Sequence, residues 1–494
     1  MASNEPLCQA VDDETAKRRC VTIRQQLSRA GLFADPSVQP VEGHQAGTVW
    51  RISPVPFVIS TEQLRFFQTL GPHLLAFYRA LNRLYAESVK GTQPAWVAGY
   101  LDQGKPESLI TFSRTKRFRD DLPAVIRPDV IPTQDGMVIT ELDSVPGGIG
   151  LTAAMSHAYA DLPFQRSAHS TPRFDLIGGR DGMVRGFAAM LKAAQGSHAG
   201  CVAIVVSDEA KDYRPEMIWV AAQLRELGLP AVCVEPRDVR FTEDGLRCRT
   251  EAGETRVGIV YRFFELFDLP NIPKAELMQY AVKGGLTAIT PPYKPALEEK
   301  SAFALLHHPI LRPFWERELG SDGILHLATI MPKTWLLDPA PVPPAATIPD
   351  LHLGGRAVAH WRELERATQK ERHFVIKPSG FSELAWGSRG VSVGHDLPQT
   401  EWAAALQQAL TAFPNTPHVL QEFHKGRLFE MDYHDPGTGT MARMSGRARL
   451  SPYYFVTDGT AELAGILATV CPADKKVIHG MKDAVMAPCA VSSD

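Results

Sequence analysis

The sequence HFVIKPSGFSELAWGSRGV, His373 to Val391, joins a buried-strand pattern to a loop suited to phosphate. An apolar run ends in Lys377-Pro378, and a loop containing the acid Glu383 closes with Gly387-Ser388-Arg389-Gly390. A lysine at a strand end presents a fixed cation, and glycines let backbone N–H groups approach phosphate oxygens. No GxxxxGK[ST] motif is present, so this is not a P-loop. The stretch predicts a phosphate-binding strand and loop, with an ordinary surface lysine as the alternative.

An acidic motif lies upstream, in Ile139 to Thr152, ITELDSVPGGIGLT. Glu141 and Asp143 are two residues apart, so on a strand both side chains face the same way. Two carboxylates on one face provide hard oxygen ligands, and Mg²⁺ usually takes one or two carboxylates together with nucleotide phosphates. A metal site is one interpretation, and an exposed strand edge with two solvated acids is the other.

Other charged residues occur at element boundaries. Lys300 opens an apolar helical stretch, where an anion would offset its unfavourable place near a helix N-terminus. Arg447 and Arg449 share one strand face, and the arginine fork suits a carboxylate or phosphate. Arg262 ends the apolar run VGIVYR and is a third candidate of this kind. For Lys300, Arg447 and Arg449, a solvated surface position remains the alternative.

Composition excludes several classes of protein. The 494 residues are 44% hydrophobic, which suggests two to four folding units with ample core. A net charge of −3 and a pI of about 6.6 argue against a nucleic-acid partner. No secretory h-region and no run of roughly 20 apolar residues occurs, so we expect no membrane partner. Seven scattered cysteines without C-x-x-C favour reduced thiols, a cytoplasmic location and no zinc site.

Strand and helix signals alternate along the chain. Apolar spacing over 62–89 predicts two helices divided at Gly71-Pro72. Residues 125–143 predict two short strands around a turn, and 200–235 predict strand, helix, strand. The proline-rich segment 338–350 predicts a surface connection. Strands recur to about residue 456, so the sequence indicates an α/β or α+β protein.

Taken together, these motifs resemble the ATP-grasp superfamily. The order of the motifs is similar to that of its circularly permuted branch, which contains eukaryotic-type glutathione synthetase and glutathionylspermidine-synthase-like proteins. In that branch the acidic motif precedes the phosphate lysines, as Glu141-Leu142-Asp143 precedes Lys300 and Lys377 here. The resemblance covers roughly 125–155 and 257–456 and leaves the first 120 residues without a motif.

The resemblance implies a role for each motif residue. Glu141 and Asp143 match the E-x-N metal ligands, with Asp replacing Asn, and Glu383 is a third candidate ligand at a spacing unlike that of glutathione synthetase. Lys300 and Lys377 match the two ATP lysines. The remaining residues implied to bind ATP belong to the glycine-rich loop and the adenine hinge, and they are Gly387, Ser388, Arg389, Gly390, Gln421, Glu422 and Phe423. Arg447, Arg449 and Arg262 are the candidates for holding the acid substrate or the transferred phosphoryl group.

The fold implied by this resemblance is α+β, a circularly permuted ATP-grasp fold with an inserted βαβ substrate domain. We expect a helical N-terminal region with the metal motif over 1–195, the βαβ domain over 196–290, and the nucleotide-binding subdomains over 291–494. The implied function is a carboxylate–amine or carboxylate–thiol ligase that uses ATP and Mg²⁺ and forms an acylphosphate. Its substrates would be a small-molecule or peptide-like acid and an amine.

Two other functions fit the same residues. One is a degenerate nucleotide-binding protein without ligase activity, and the other is an ATP-dependent phosphotransferase on the same fold. A Rossmann oxidoreductase is disfavoured, because the strand at 201–206 is followed by SDEAKDYRP and not by G-x-G-x-x-G. The sequence leaves the oligomeric state open, a homodimer being the commonest case.

Overall fold

The computed structural model describes residues 12–34, 49–162, 173–251, 253–343, 346–385, 387, 389–435, 437–475, 477–480 and 482–493. The helices of these residues are α1 Asp13–Arg29, α2 Thr61–Val89, α3 Ala95–Asp102, α4 Glu107–Ser113, α5 Ile149–Ala160, α6 Gly182–Gln195, α7 Arg214–Glu226, α8 Ala275–Lys283, α9 Ser301–His307, α10 Arg312–Ile330 and α11 Gln399–Ala412. No helix of the described residues is both long and apolar enough to cross a membrane.

The strands alternate with these helices, as the sequence pattern predicts. They are β1 Arg51–Ile52, β2 Phe57–Ile59, β3 Val125–Pro132, β4 Met137–Asp143, β5 Arg173–Leu176, β6 Cys201–Val206, β7 Ala231–Val234, β8 Arg240–Thr242, β9 Gly245–Thr250, β10 Gly253–Phe263, β11 Ala288–Thr290, β12 Thr334–Leu336, β13 His352–Leu353, β14 Arg356–Ala357, β15 Phe374–Pro378, β16 Ser392–Val393, β17 His418–Glu422, β18 Leu428–Asp435, β19 Thr440–Thr457, β20 Thr460–Pro472 and β21 Val485–Ser493.

Three sheets carry the fold. The largest runs in the order β18-β1-β21-β20-β19-β3-β4, with β2 and β5 also paired to β21. A second sheet, β7-β6-β10-β9-β8, has parallel pairs at its centre and β11 beside β10. A third, β12-β17-β15-β16, is antiparallel. Helices α5, α6 and α7 contribute to one core with both the largest and the parallel sheet, so these sheets are packed as two faces of that core.

Helix α2 corrects one expectation from the sequence. It is a single helix from Thr61 to Val89 with Pro72 inside it, and not two helices. Proline in a helix interior costs about 3 kcal/mol. The helix buries Leu70, Leu74, Phe77 and other apolar side chains at no more than a few per cent exposure, and each large apolar side chain contributes about 1.5–3 kcal/mol. Burial therefore outweighs the proline penalty and keeps the helix continuous.

Two other local predictions are confirmed. Residues 125–143 form the β3–β4 hairpin, whose turn contains Gly136 at φ 143. Residues 201–234 form β6, α7 and β7, with β6 and β7 parallel and Gly228 at φ 76 after the helix. The proposed domain boundaries stay a prediction, and the sheets show that strands from 428–493 and from 125–143 belong to one sheet.

Candidate functional site

A charged face forms on three neighbouring strands of the largest sheet. It consists of Arg127 and Asp129 on β3, Glu141 and Asp143 on β4, and Arg449 on β19. The hairpin register places Asp129 opposite Glu141 and Arg127 opposite Asp143. Opposite residues of an antiparallel pair project to the same side, so the two metal-ligand candidates lie on one face, as predicted.

Arginines hold the carboxylates of this charged face. Arg127 Nη2 lies 3.0 Å from Asp143 Oδ2 and 3.4 Å from Asp129 Oδ1. Arg449 Nη1 lies 3.2 Å from Asp129 Oδ2. Burial raises the pKa of Asp129, but the two guanidinium groups outweigh it and hold this pKa below its usual value. Burial, and secondarily the charge of Glu141, raise the pKa of Asp143 despite Arg127.

Lys300 directly precedes α9, and its side chain reaches the charged face at Glu141. Its Nζ lies 2.8 Å from Glu141 Oε1 and donates to the Ala385 carbonyl at 2.8 Å. Burial disfavours the ammonium, yet the Glu141 carboxylate outweighs burial and raises the pKa of Lys300 above its ordinary value. The lysine is therefore fully charged at neutral pH and is held against the acidic motif.

Lys377 reaches the same strand from the end of β15. Its Nζ donates to Gln421 Oε1 at 2.8 Å and to the Thr140 carbonyl at 3.2 Å. Burial lowers the pKa of Lys377 to about 8, and Glu141 only partly opposes this. The two lysines predicted from separate motifs thus converge on neighbouring residues of β4.

The expected hinge, Gln421 to Phe423, consists of the last two residues of β17 and the residue after it. Gln421 pairs with Val375 of β15 and with Thr334 of β12, so its amide lies on the same sheet face as Lys377. The backbone N–H groups of Glu422 and Phe423 donate to the carbonyls of Lys333 and His373. A narrow cavity, with a volume of about 10 Å³ and lined in part by Thr140, Glu141, Lys300 and Gln421, lies between these elements.

The glycine-rich loop lies beside this cavity, where its Ala385 carbonyl accepts a hydrogen bond from Lys300. Gly387 has φ 64, and the Gly390 N–H donates to the Leu384 carbonyl at 3.1 Å. Arg389 Nη1 lies 3.0 Å from Glu209 Oε1, which links the loop to the segment after β6. Ser388 lies outside the described residues.

Glu383 does not join the acidic motif. Its side chain is exposed, and no cluster of three or more His, Cys, Asp or Glu residues that could hold a metal occurs in the part of the chain that the structure describes. The expected three-carboxylate set is therefore not assembled here. The physical reason is the loop itself, which takes the Ala385 carbonyl to Lys300 while Glu383 points to solvent.

The three candidate arginines have different surroundings. Arg262 is fully buried and bonded to Glu298 and to the carbonyls of Phe264, Pro291 and Pro292. Arg447 donates to the carbonyls of Gly426 and Ala473, away from the carboxylates of the charged face. Arg449 contacts Asp129, and its buried Nε has no hydrogen-bond partner among the described residues. Of the three, Arg449 is the one with a donor available at the charged face.

The structure adds residues that the motif analysis missed. Arg127 and Asp129 complete the charged face, and Arg127 also has a buried Nε without a partner in the described chain. Counting back from the turn at Gln134-Asp135-Gly136 would place them opposite Leu142 and Thr140. A one-residue register shift between Val130 and Asp129 instead places them opposite Asp143 and Glu141, and the sequence does not show that shift. Glu265 was also missed. Burial and the nearby Glu298 carboxylate raise the pKa of Glu265 to about 8.

The donor set fits a magnesium nucleotide. Two lysines with hydrogen-bonding ammonium groups suit phosphate oxygens, and Glu141 with Asp143 supplies the hard carboxylate oxygens that Mg²⁺ prefers. Unpartnered buried donors are rare in proteins, and those of Arg127 and Arg449 suit an acceptor brought by a substrate. The arrangement is suited to holding anions beside a cation-binding pair of acids.

Comparison with known proteins supports the fold. A scan against family models and a search of curated proteins gave no match. A glutathione synthetase-like effector from Globodera pallida, in its apo form, aligns over 97% of this chain and 98% of that chain with a TM-score of 0.56 and 10% identity. A protein described as a gamma-glutamylcysteine synthetase from Methylobacillus flagellatus aligns over 89% and 90% with a TM-score of 0.40 and 10% identity. The first comparison shows that this chain has a glutathione synthetase-like fold, and at that identity it shows the fold alone.

Proposed function

We propose that this protein is an ATP- and Mg²⁺-dependent ligase of ATP-grasp type that joins a carboxylate to an amine or thiol through an acylphosphate. The observation that carries the proposal is the convergence of Lys300 and Lys377 on Glu141 and the adjoining Thr140 carbonyl. These lysines are 77 positions apart in sequence and come from different elements. A metal–triphosphate complex is bound by cations that contact its phosphates and by carboxylates that hold its metal, and the two lysines and the acidic strand supply both kinds of group.

The reaction needs positioning and charge neutralisation more than a dedicated base. The acid substrate's carboxylate attacks the γ-phosphate of ATP, and ADP leaves. The amine, arriving as its neutral form, then attacks the acyl carbon of the acylphosphate, phosphate leaves, and the departing phosphate takes up the proton that the nitrogen loses. Lys300 and Lys377 bind phosphate oxygens. Arg127 and Arg449 orient the acid substrate through their Nε groups, which have no hydrogen-bond partner among the described residues. Mg²⁺, held by Glu141 and Asp143, supplies neutralisation of the phosphate charge.

The loop from Gly380 to Gly390 excludes water from the acylphosphate in this scheme. In the structure it already bonds to Lys300 through Ala385 and to Glu209 through Arg389. Acylphosphates hydrolyse readily, so a loop that covers the cleft protects the intermediate. The carbonyl of Ala385 must leave Lys300 when a phosphate takes its place.

The test begins with calorimetric titration of a non-hydrolysable ATP analogue, with and without Mg²⁺. The proposal expects binding that strengthens with Mg²⁺ and is lost in Lys377→Ala. Acid and amine pairs are then screened for release of phosphate that requires both substrates. If Lys377→Ala and Glu141→Ala both leave ATP turnover intact, the proposal fails.

A nucleotide-binding protein without ligase activity is the second candidate. It is favoured by the engagement of Asp143, whose carboxylate bonds to Arg127 Nη2 and to the Val145 N–H, and by the exposed position of Glu383. An acid held by an arginine is a poorer metal ligand. This candidate predicts nucleotide binding with little dependence on Mg²⁺ and no phosphate release with any pair of substrates. A phosphorylated acceptor without ligation would instead indicate a phosphotransferase.

A further inference from the structure

One buried carboxylate joins the segments that carry the two lysines. Glu299 precedes Lys300, and its side chain is 3% exposed. Its Oε1 lies 2.5 Å from the Nζ of Lys105, whose side chain is 1% exposed. Its Oε2 accepts hydrogen bonds from the Ser379 hydroxyl and, at 3.0 Å, from the Gly380 N–H. Ser379 and Gly380 are the first residues of the loop after Lys377-Pro378.

The two segments also touch through their backbones. A Cβ at Gly380 would lie 1.9 Å from the Glu298 carbonyl oxygen, so only glycine permits this approach. The Ser301 N–H donates to the Ser379 hydroxyl at 3.3 Å. The backbone before and after Lys300 therefore packs directly on the base of the glycine-rich loop. We name this contact the lysine junction and define it as Glu299, Ser301, Ser379 and Gly380 together with Lys105.

We propose that Glu299 is a positioning residue that fixes Lys300 relative to Lys377 and holds the base of the loop that follows Lys377. The inference rests on the proposed function, because the lysine junction would position the two lysines that bind the triphosphate. A buried ion pair is weak evidence for stability, since desolvation offsets most of its attraction. Here Oε2 of Glu299 also accepts two hydrogen bonds from the loop. The carboxylate therefore fixes where the start of the loop lies relative to Glu299 and Lys105.

The consequence is selective for ligands with a phosphate chain. Both lysines must reach one triphosphate, and losing one hydrogen bond to a charged group weakens binding by about 10- to 150-fold. A nucleotide without β- and γ-phosphates would contact the proposed adenine hinge, Gln421 to Phe423, and would not depend on the spacing of the two lysines. Glu299→Gln is therefore expected to weaken binding of a non-hydrolysable ATP analogue by about 10- to 100-fold while changing AMP affinity by less than twofold.

The experiment compares wild type, Glu299→Gln and a matched control, Glu235→Gln. Glu235 is a carboxylate outside the lysine junction that is likewise paired with a cation, its Oε1 lying 2.5 Å from Arg214 Nη1 in the parallel-sheet region. Affinity for the ATP analogue is measured by calorimetry and affinity for AMP by ligand-observed NMR. Hydrogen exchange of peptides spanning residues 377–391 is measured without nucleotide. We expect faster exchange and lost discrimination in Glu299→Gln, and neither change in Glu235→Gln.

Two outcomes overturn the inference. Equal weakening of the ATP analogue and AMP would show that Glu299 has only a general structural role, and unchanged loop exchange would show that it does not hold the loop. If wild type binds neither nucleotide, the proposed function fails, and the exchange measurement still decides whether Glu299 anchors the loop. Should Glu299→Gln not fold, Glu299→Gln with Lys105→Met removes the unpaired buried ammonium and allows the same comparison.

Discussion

Replacing Lys377 with methionine tests the cleft through binding and through stability. The Lys377 side chain lies in a buried position and donates to Gln421 and to the Thr140 carbonyl. A hydrogen bond to a charged group contributes about 1.5–3 kcal/mol. If the ammonium binds phosphate, Lys377→Met should weaken the ATP analogue about 10- to 150-fold in calorimetric titration.

The same substitution should change how stability depends on pH. The pKa of Lys377 falls from its ordinary 10.5 to about 8 in the folded protein, and each pH unit corresponds to about 1.4 kcal/mol, so the charged lysine costs the folded state about 3 kcal/mol. That penalty is complete below pH 8, where the lysine is protonated in both states. It is relieved between pH 8 and 10.5, where the folded protein releases the proton first. The stability of wild type relative to Lys377→Met should therefore rise by about 2–3 kcal/mol between pH 7 and pH 10.

Lys294 provides the matched control. It is also buried, burial lowers its pKa to about 8, and its Nζ donates to Asn82 Oδ1 and to the Arg119 carbonyl. Lys294→Met should show the same pH dependence in urea unfolding and should leave the affinity for the ATP analogue unchanged. The reasoning is refuted if Lys377→Met binds the analogue as wild type does, or if its stability relative to wild type is independent of pH.

Further substitutions test other parts of the structure. Asp129→Asn leaves Arg127 and Arg449 without this carboxylate and should destabilise the protein by about 3–5 kcal/mol in chemical denaturation; a loss below 1 kcal/mol would contradict the buried network. Gly71→Ala places a Cβ 2.6 Å from the Tyr454 ring and should cost about 1–3 kcal/mol. That cost should be absent from Gly99→Ala, whose Cβ would meet no atom within 4 Å. Burial raises the pKa of Glu216 to about 7, so its folded form keeps a proton that the unfolded form loses. Stability should fall from pH 4.5 to 7 through this group, and Glu216→Gln should lack that component in urea unfolding at both pH values.

The sequence predicted the local elements well where one signal dominated. The β3–β4 hairpin followed from two apolar runs around Gln134-Asp135-Gly136, and the β6–α7–β7 unit followed from buried runs around an amphipathic segment. It failed at Pro72, because the local cost of proline is visible in sequence while the apolar surface that α2 buries is not. The alternating elements indicated a mixed α and β protein, and the motif resemblance implied a glutathione synthetase-like fold, which the structural comparison supports.

The candidate site was predicted in part. Glu141, Lys300, Lys377 and Gln421 come together as the resemblance implied. Glu383 does not, because a loop's path over a cleft depends on contacts that no spacing encodes. Permutation, the domain boundaries and the ATP and Mg²⁺ ligands stay predictions.

By itself the sequence determined that Lys377 lies near the end of a strand and that Glu141 and Asp143 share a strand face, because side-chain alternation is a local property. Only the tertiary structure decided what these groups meet. It placed Lys300 against Glu141, Arg127 against Asp143, and Glu299 between Lys105 and the loop base. These contacts join residues up to about 190 positions apart. Distance in space and loss of water are set by how the sheets pack together, and that packing is a property of the whole chain.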